Sequence, residues 1–142
     1  MTIEPLPHER LYTRLQASPG KGVGVFAIRD IPQGVNPFLG DSNGTARVPA
    51  AVVDAIEDAE LRRMYVDFCP LIDGHYFAPI DFNRMTVSWH MNHSDRPNMM
   101  ADPNVNFVAA RHIAAGEELF IDYRTFSEHA DKFVAEWRTE DE

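Results

Sequence analysis

Residues 91–99 read MNHSDRPNM. Asn92, His93, Ser94, Asp95 and Asn98 crowd a short run in which Pro97 stops any helix. That is the composition of a turn, because Asn, Asp and Ser bond their own backbone and proline fixes φ. Yet Trp89 and Met91 precede the polar residues, and Met99 and Met100 follow them. Large apolar side chains on both flanks are unusual for a surface loop, and the fold must account for them.

Working outward, the chain breaks into short elements. NVNFVAARHIAAGEELFIDYR (104–124) reads as two strands joined through Ala115-Gly116. Alternation within it puts Glu118, Phe120 and Asp122 on one face and Leu119, Ile121 and Tyr123 on the other. PLIDGHYFAPID (70–81) reads as a hairpin turning at Asp73-Gly74. Pro49 at a first helical position opens one or two short amphipathic helices through Phe68. Toward the N-terminus, LYTRLQ (11–16) is a first strand, and a Gly-rich turn leads into an alternating strand from Val23 to Ile31. Ser127 is expected to be the N-cap of a C-terminal helix that ends in an acidic tail, and Phe126, Phe133 and Trp137 mark an apolar face. AIRDIPQG (27–34) and AARHIAAG (109–116) share A-x-R-x-I-x-x-G. So short a match reads as two similar turns rather than a repeat. Many short strands and few helices predict a β-rich α+β domain of several small sheets.

Composition limits the function. The 142 residues make one domain, with 44% hydrophobic residues and a mean hydropathy of −0.31. No run reaches the roughly 18 apolar residues of a membrane helix. MTIEPLPHER has no apolar signal core, so an intracellular, membrane-free protein is expected. The net charge of −9 opposes direct nucleic-acid binding and suits a basic partner. Cys69 is the single cysteine, so no internal disulfide or Cys-rich zinc site is available, and a small buried hydrophobe is expected there. Oligomeric state stays open, a homodimer included.

Three stretches could carry chemistry. GKGVGV (20–25) leaves backbone amides accessible, but it lacks the spacing of a P-loop or a dinucleotide fingerprint. His90 and His93 are three apart with no acid at helical spacing, so no metal is expected. GEELFIDYR (116–124) ends in Tyr123, on an apolar face where a tyrosine usually bonds a backbone carbonyl.

Their order is more specific than any one of them. A Gly-rich turn, then N-H-S-x-x-P-N, then G-E-E-L-x-x-D-Y resembles the SET-domain protein-lysine methyltransferases, over roughly residues 11 to 126. The resemblance implies a single SET domain over 1–142. Its expected fold is β-clip-like, with several small sheets, short helices and a C-terminal pseudoknot. It also implies S-adenosyl-L-methionine as cofactor and a lysine-containing protein or basic peptide as substrate. By resemblance, Lys21, Gly22 and Val23 cover the cofactor and Asn92 places its methionine part. The backbone at His93 meets the adenine, and Phe126 lies nearest the cofactor. Tyr123 is the catalytic tyrosine, while Phe38 and Ile121 line the substrate channel. The polar stretch is then polar because it holds a polar ligand, and walled because it runs through the middle of the domain.

The chain departs from that family at several points. Phe38 stands where a second tyrosine is often found, and Ile121 where Phe or Tyr influences the number of methyl groups added. Asp95 replaces a frequent cysteine, and no cysteine follows Cys69. Without a zinc cluster, residues 126–137 are expected to fold back over the active site, with Glu136 and Glu140 to Glu142 attracting a basic substrate. Phe38 also leaves room for another reading, a catalytically inactive SET-fold module that binds a peptide or partner.

Overall fold

The computed structural model describes residues 10–39 and 44–128. Its first sheet is built from β1 (Thr13–Ser18), β2 (Gly22–Ala27), β9 (Glu118–Ile121) and β6 (Asn92–His93), in the order β1-β2-β9-β6. β2 pairs antiparallel with β1 and β9, whereas β6 runs parallel to β9. The C-terminal run therefore passes between β2 and the 92–98 stretch, the crossing that the resemblance implies. β3 (Thr45–Pro49), β5 (His75–Pro79) and β4 (Leu71–Ile72) form a second sheet. β7 (Met99–Ala101) and β8 (Phe107–Ala109) form a third, two-stranded one. Two helices, α1 (Ala50–Asp54) and α2 (Ala59–Phe68), lie between β3 and β4. The fold is thus α+β and β-rich, as the sequence predicts.

The strand and helix limits differ from the sequence reading in instructive ways. Pro49 closes β3 and precedes α1 rather than occupying its first turn. Asp58 breaks the helical run in two by capping α2, its carboxylate accepting from the Glu60 and Leu61 amides. The strand expected to reach Ile31 ends at Ala27, and Ile31 instead forms an isolated bridge with Ile113. β8 and β9 follow one another in sequence but do not pair: β8 pairs with β7 and β9 with β2 and β6.

Two apolar clusters hold these sheets. One gathers Val25, Ala27, Ile31, Met91, Met99, Ala109, Ile113, Leu119 and Ile121. The other gathers Val53, Cys69, Tyr76 and Ala78, with Trp89 packed against it. Each fully buried Val, Leu or Ile contributes about 1.5–3 kcal/mol relative to exposure. Met91 and Met99 thus belong to one core and Trp89 to the other, while Met100 is half exposed. The polar stretch is walled because it is threaded between two cores.

The A-x-R-x-I-x-x-G echo proves structural. The Ile31 amide donates to Ile113 O at 2.7 Å and the Ile113 amide to Ile31 O at 2.9 Å. Likewise the Gly34 amide donates to Ala109 O and the Gly116 amide to Ala27 O, both at 2.8 Å. The two segments therefore meet around a local pseudo-twofold, matched residue for residue. Gly34 and Gly116 have φ of +84° and +92°, a region only glycine enters without strain. Two similar turns are present, but their match is a matter of pairing and not of chance.

Candidate functional site

Glu118 and the turn between β1 and β2 organise one end of the site. Asn92, buried on β6, donates its amide to Val23 O at 3.0 Å and to Glu118 Oε2 at 2.9 Å. The other Glu118 oxygen accepts from Ser18 Oγ at 2.7 Å. This carboxylate lies against Gly24, where an added Cβ would meet Glu118 Oε2 at 2.5 Å and Ser18 Cβ at 3.0 Å. Gly24→Ala must therefore displace a carboxylate pinned by two hydrogen bonds, at a cost of about 1–3 kcal/mol. Combined with Glu118→Ala, the two losses should be less than additive in urea unfolding. Additive losses would mean that Gly24 acts elsewhere.

Asn98 fixes the central strand. It is buried, and its side chain imitates a neighbouring strand: Nδ2 donates to Glu118 O and Oδ1 accepts from the Phe120 amide, both at 2.8 Å. β9 then leads into a 3-10 turn at Tyr123–Thr125, which Asp122 caps by accepting from the Arg124 amide at 3.0 Å.

Tyr123 closes the arrangement. Its hydroxyl donates to the Met91 carbonyl, and its backbone amide donates to His93 Nδ1 at 3.1 Å. Burial pushes the phenol well above its ordinary range, so it stays protonated and its oxygen remains a neutral acceptor. His93 uses Nδ1 as an acceptor, which leaves the proton on Nε2 facing Asp95 Oδ1 at 3.2 Å. Burial pushes this imidazole below its ordinary range, against the pull of Asp95 and Asp122. The unfolded chain, with an ordinary histidine near 6.5, then binds more protons than the folded one. The urea midpoint should accordingly fall as pH drops below about 6.5; burial lowers His90 as well, so His93→Gln should reduce that slope and not abolish it. An unchanged slope in the variant would assign it to another group.

A cavity of about 980 Å³ opens beside these residues. Lys21, Val23, Phe38, Asn92, Ile121, Tyr123 and Phe126 all line it, so seven of the nine residues singled out in the sequence come together. Gly22 is exposed in the turn and His93 turns its ring toward Tyr123, 5.6 Å between centroids; neither lines the cavity. Phe126 stands edge-on to Tyr123 and to Phe107, with centroids 6.0 and 5.6 Å away. Beyond it, Ser127 Oγ accepts from the Leu71 amide at 3.1 Å, and the Glu128 amide donates to Leu71 O at 2.7 Å. The chain after Tyr123 is thus tied to the second sheet. The expected C-terminal helix, with Phe133, Trp137 and the acidic tail, lies outside the described residues.

Sequence reasoning gave no site role to Glu118, Asn98 or the Trp89–His90 wall of the cavity. Glu118 carried a signal: a carboxylate on a strand flanked on both sides requires a partner. Cys69 lines the cavity too, but burial pushes its thiol up to about 12, so it remains protonated.

The SET-domain family model matches residues 22–124. The chain belongs to the SET-domain family. The match runs from Gly22 in the Gly-rich stretch through the Asn92-His93 strand to Tyr123 and Arg124, and with it goes the fold of a methyltransferase-type domain. No curated protein sequence matches the chain. Among the described residues, no helix of this SET domain is long and apolar enough to cross a membrane.

Proposed function

We propose that this SET domain transfers a methyl group from S-adenosyl-L-methionine to the side-chain amine of a protein lysine. The observation that carries the reading is the shared cavity, which Asn92 and Tyr123 line together with apolar Val23, Phe38, Ile121 and Phe126. Its volume suits a nucleoside-sized ligand and a lysine side chain together. The donor set fits the cofactor as well. Phe126 and Val23 offer apolar faces, Lys21 a cation for a carboxylate, and Asn92 a carboxamide oxygen once both its N–H groups are engaged. When bound, S-adenosyl-L-methionine supplies the electrophilic methyl group.

The chain's own residues do the rest. A free lysine with a pKa near 10.4 costs roughly 4–5 kcal/mol to neutralise at pH 7. Phe38, Ile121 and Met91 form an apolar wall that disfavours the ammonium and lowers that cost. With its proton committed to Met91 O, the Tyr123 oxygen accepts from the amine N–H and turns the nitrogen lone pair along the transfer line. Phe38 contributes no hydroxyl, so the orientation rests on Tyr123. A basic protein segment suits the net charge of −9.

Asn92→Ala should weaken S-adenosyl-L-methionine at least tenfold in calorimetry, since it removes a ligand contact and frees the Glu118 carboxylate. Unchanged affinity would take Asn92 out of the pocket. The inactive-module reading is served by Phe38, and by a Tyr123 hydroxyl that already has a backbone partner. A protein with no measurable cofactor affinity would favour it.

A further inference from the structure

Tyr123 is gripped from behind by charged groups that the methyl-transfer reading leaves unused. Its amide is held by His93, and His93 Nε2 faces Asp95 Oδ1. The next residue, Arg124, sends Nη2 to that same Asp95 oxygen at 3.1 Å and to Asp122 Oδ2 at 2.7 Å. Its Nε reaches Asp122 Oδ1 at 2.9 Å. Asp122 Oδ1 in turn stands 3.7 Å from His93 Nδ1. The contacts close a ring, from the Tyr123 amide through His93 and Asp95 to Arg124, which is bonded to Tyr123 itself. Asp122, Tyr123 and Arg124 are consecutive, so both ends of the tyrosine's backbone are fixed.

We infer that Arg124 and Asp95 are positioning residues for Tyr123, acting through His93 and Asp122 to hold its hydroxyl in register with the cavity. The inference rests on the methyl-transfer reading above. The Arg124 and Asp95 side chains are 38% and 47% exposed, and ion pairs that open to water contribute little to stability. What an arginine fork on two carboxylates does supply is direction, since its donors lie in one rigid plane. Transfer geometry is sensitive to displacements of about 1 Å, so loss of the fork should register in turnover before it registers in stability.

The ring also predicts an acid limit. A second proton on His93 occupies Nδ1, and the Tyr123 amide loses its acceptor. Among the described residues, the charged and titratable groups facing that imidazole include Asp95, Asp122, Arg124 and the Tyr123 phenol. The two carboxylates favour the second proton, so neutralising Asp95 should move the acid limb of the rate profile to lower pH.

The test uses the full chain with Arg124→Ala, Arg124→Lys and Asp95→Asn, read three ways. Nitrogen-15 NMR follows the Tyr123 amide and the His93 tautomer; calorimetry follows S-adenosyl-L-methionine; turnover is followed against pH. Arg124→Ala should move the Tyr123 amide resonance, keep cofactor affinity within about twofold and slow turnover about tenfold or more, with Arg124→Lys intermediate. Asp95→Asn should shift the acid limb downward, and it stands in should Arg124→Ala fail to fold. A Tyr123 amide and a His93 tautomer that stay put in all three variants would overturn the inference, as would unaltered turnover in an active enzyme. A wild-type chain that transfers no methyl group counts against the functional reading alone, because the NMR arm still judges the ring.

Discussion

Tyr123→Phe should slow methyl transfer roughly 10²-fold or more while leaving S-adenosyl-L-methionine affinity nearly unchanged. The substitution removes one oxygen from a residue that lines the cavity and keeps the ring that packs against His93 and Phe126. Asn92 is held by Val23 O and Glu118 rather than by that oxygen, so the end of the cavity proposed for the cofactor stays built. Stability should fall by about 1 kcal/mol, because the Met91 carbonyl loses its donor. Single-turnover kinetics, calorimetry and thermal melting on the same preparation separate these effects. If turnover, affinity and melting temperature fell together, Tyr123 would be a core residue and nothing more.

Asn98→Ala should cost about 2–4 kcal/mol of stability, a large loss for a single polar side chain. Asn98 is 3% exposed, so water cannot replace it. Its truncation strands the Phe120 amide and the Glu118 carbonyl on β9, the strand that gives Leu119 and Ile121 to the first core and leads into the Tyr123 turn. Asn98→Asp should be nearly as damaging. It keeps an acceptor for Phe120 but turns a second oxygen toward the Glu118 carbonyl. A urea midpoint that drops at constant m-value would report lost stability of this kind. An unfolding free energy within about 0.5 kcal/mol of wild type would show that β9 is held without the asparagine.

What could be read in the sequence had a period or a turn residue. β9 alternates, and Leu119 and Ile121 are buried while Glu118 and Phe120 are half exposed. Asp73-Gly74 turns the β4–β5 hairpin, and both residues have positive φ. β3 went unread because Ala46 and Val48 are only half buried and its other residues are exposed, so no apolar face stands out. β6 is two residues long and has no period at all. The site divides along the same line. Seven candidate residues share a cavity, and the strands that carry the three motifs, β2, β9 and β6, are neighbours in one sheet. Glu118 and Asn98 were legible as residues but not as partners. Their roles arise from hydrogen bonds across 26 and 20–22 positions of chain, which no local pattern encodes. The echo around Ile31 and Ile113 is similar: eight residues carry too little information until their amides are seen to pair.

The measurement that bears most directly on the account is mass spectrometry of proteins incubated with this SET domain and methyl-labelled S-adenosyl-L-methionine, using a lysine-rich panel. The account predicts label on lysine side chains, dependent on the wild-type protein and nearly abolished by Tyr123→Phe. A domain that binds the cofactor yet labels no lysine, or labels equally well with Phe at position 123, would contradict it.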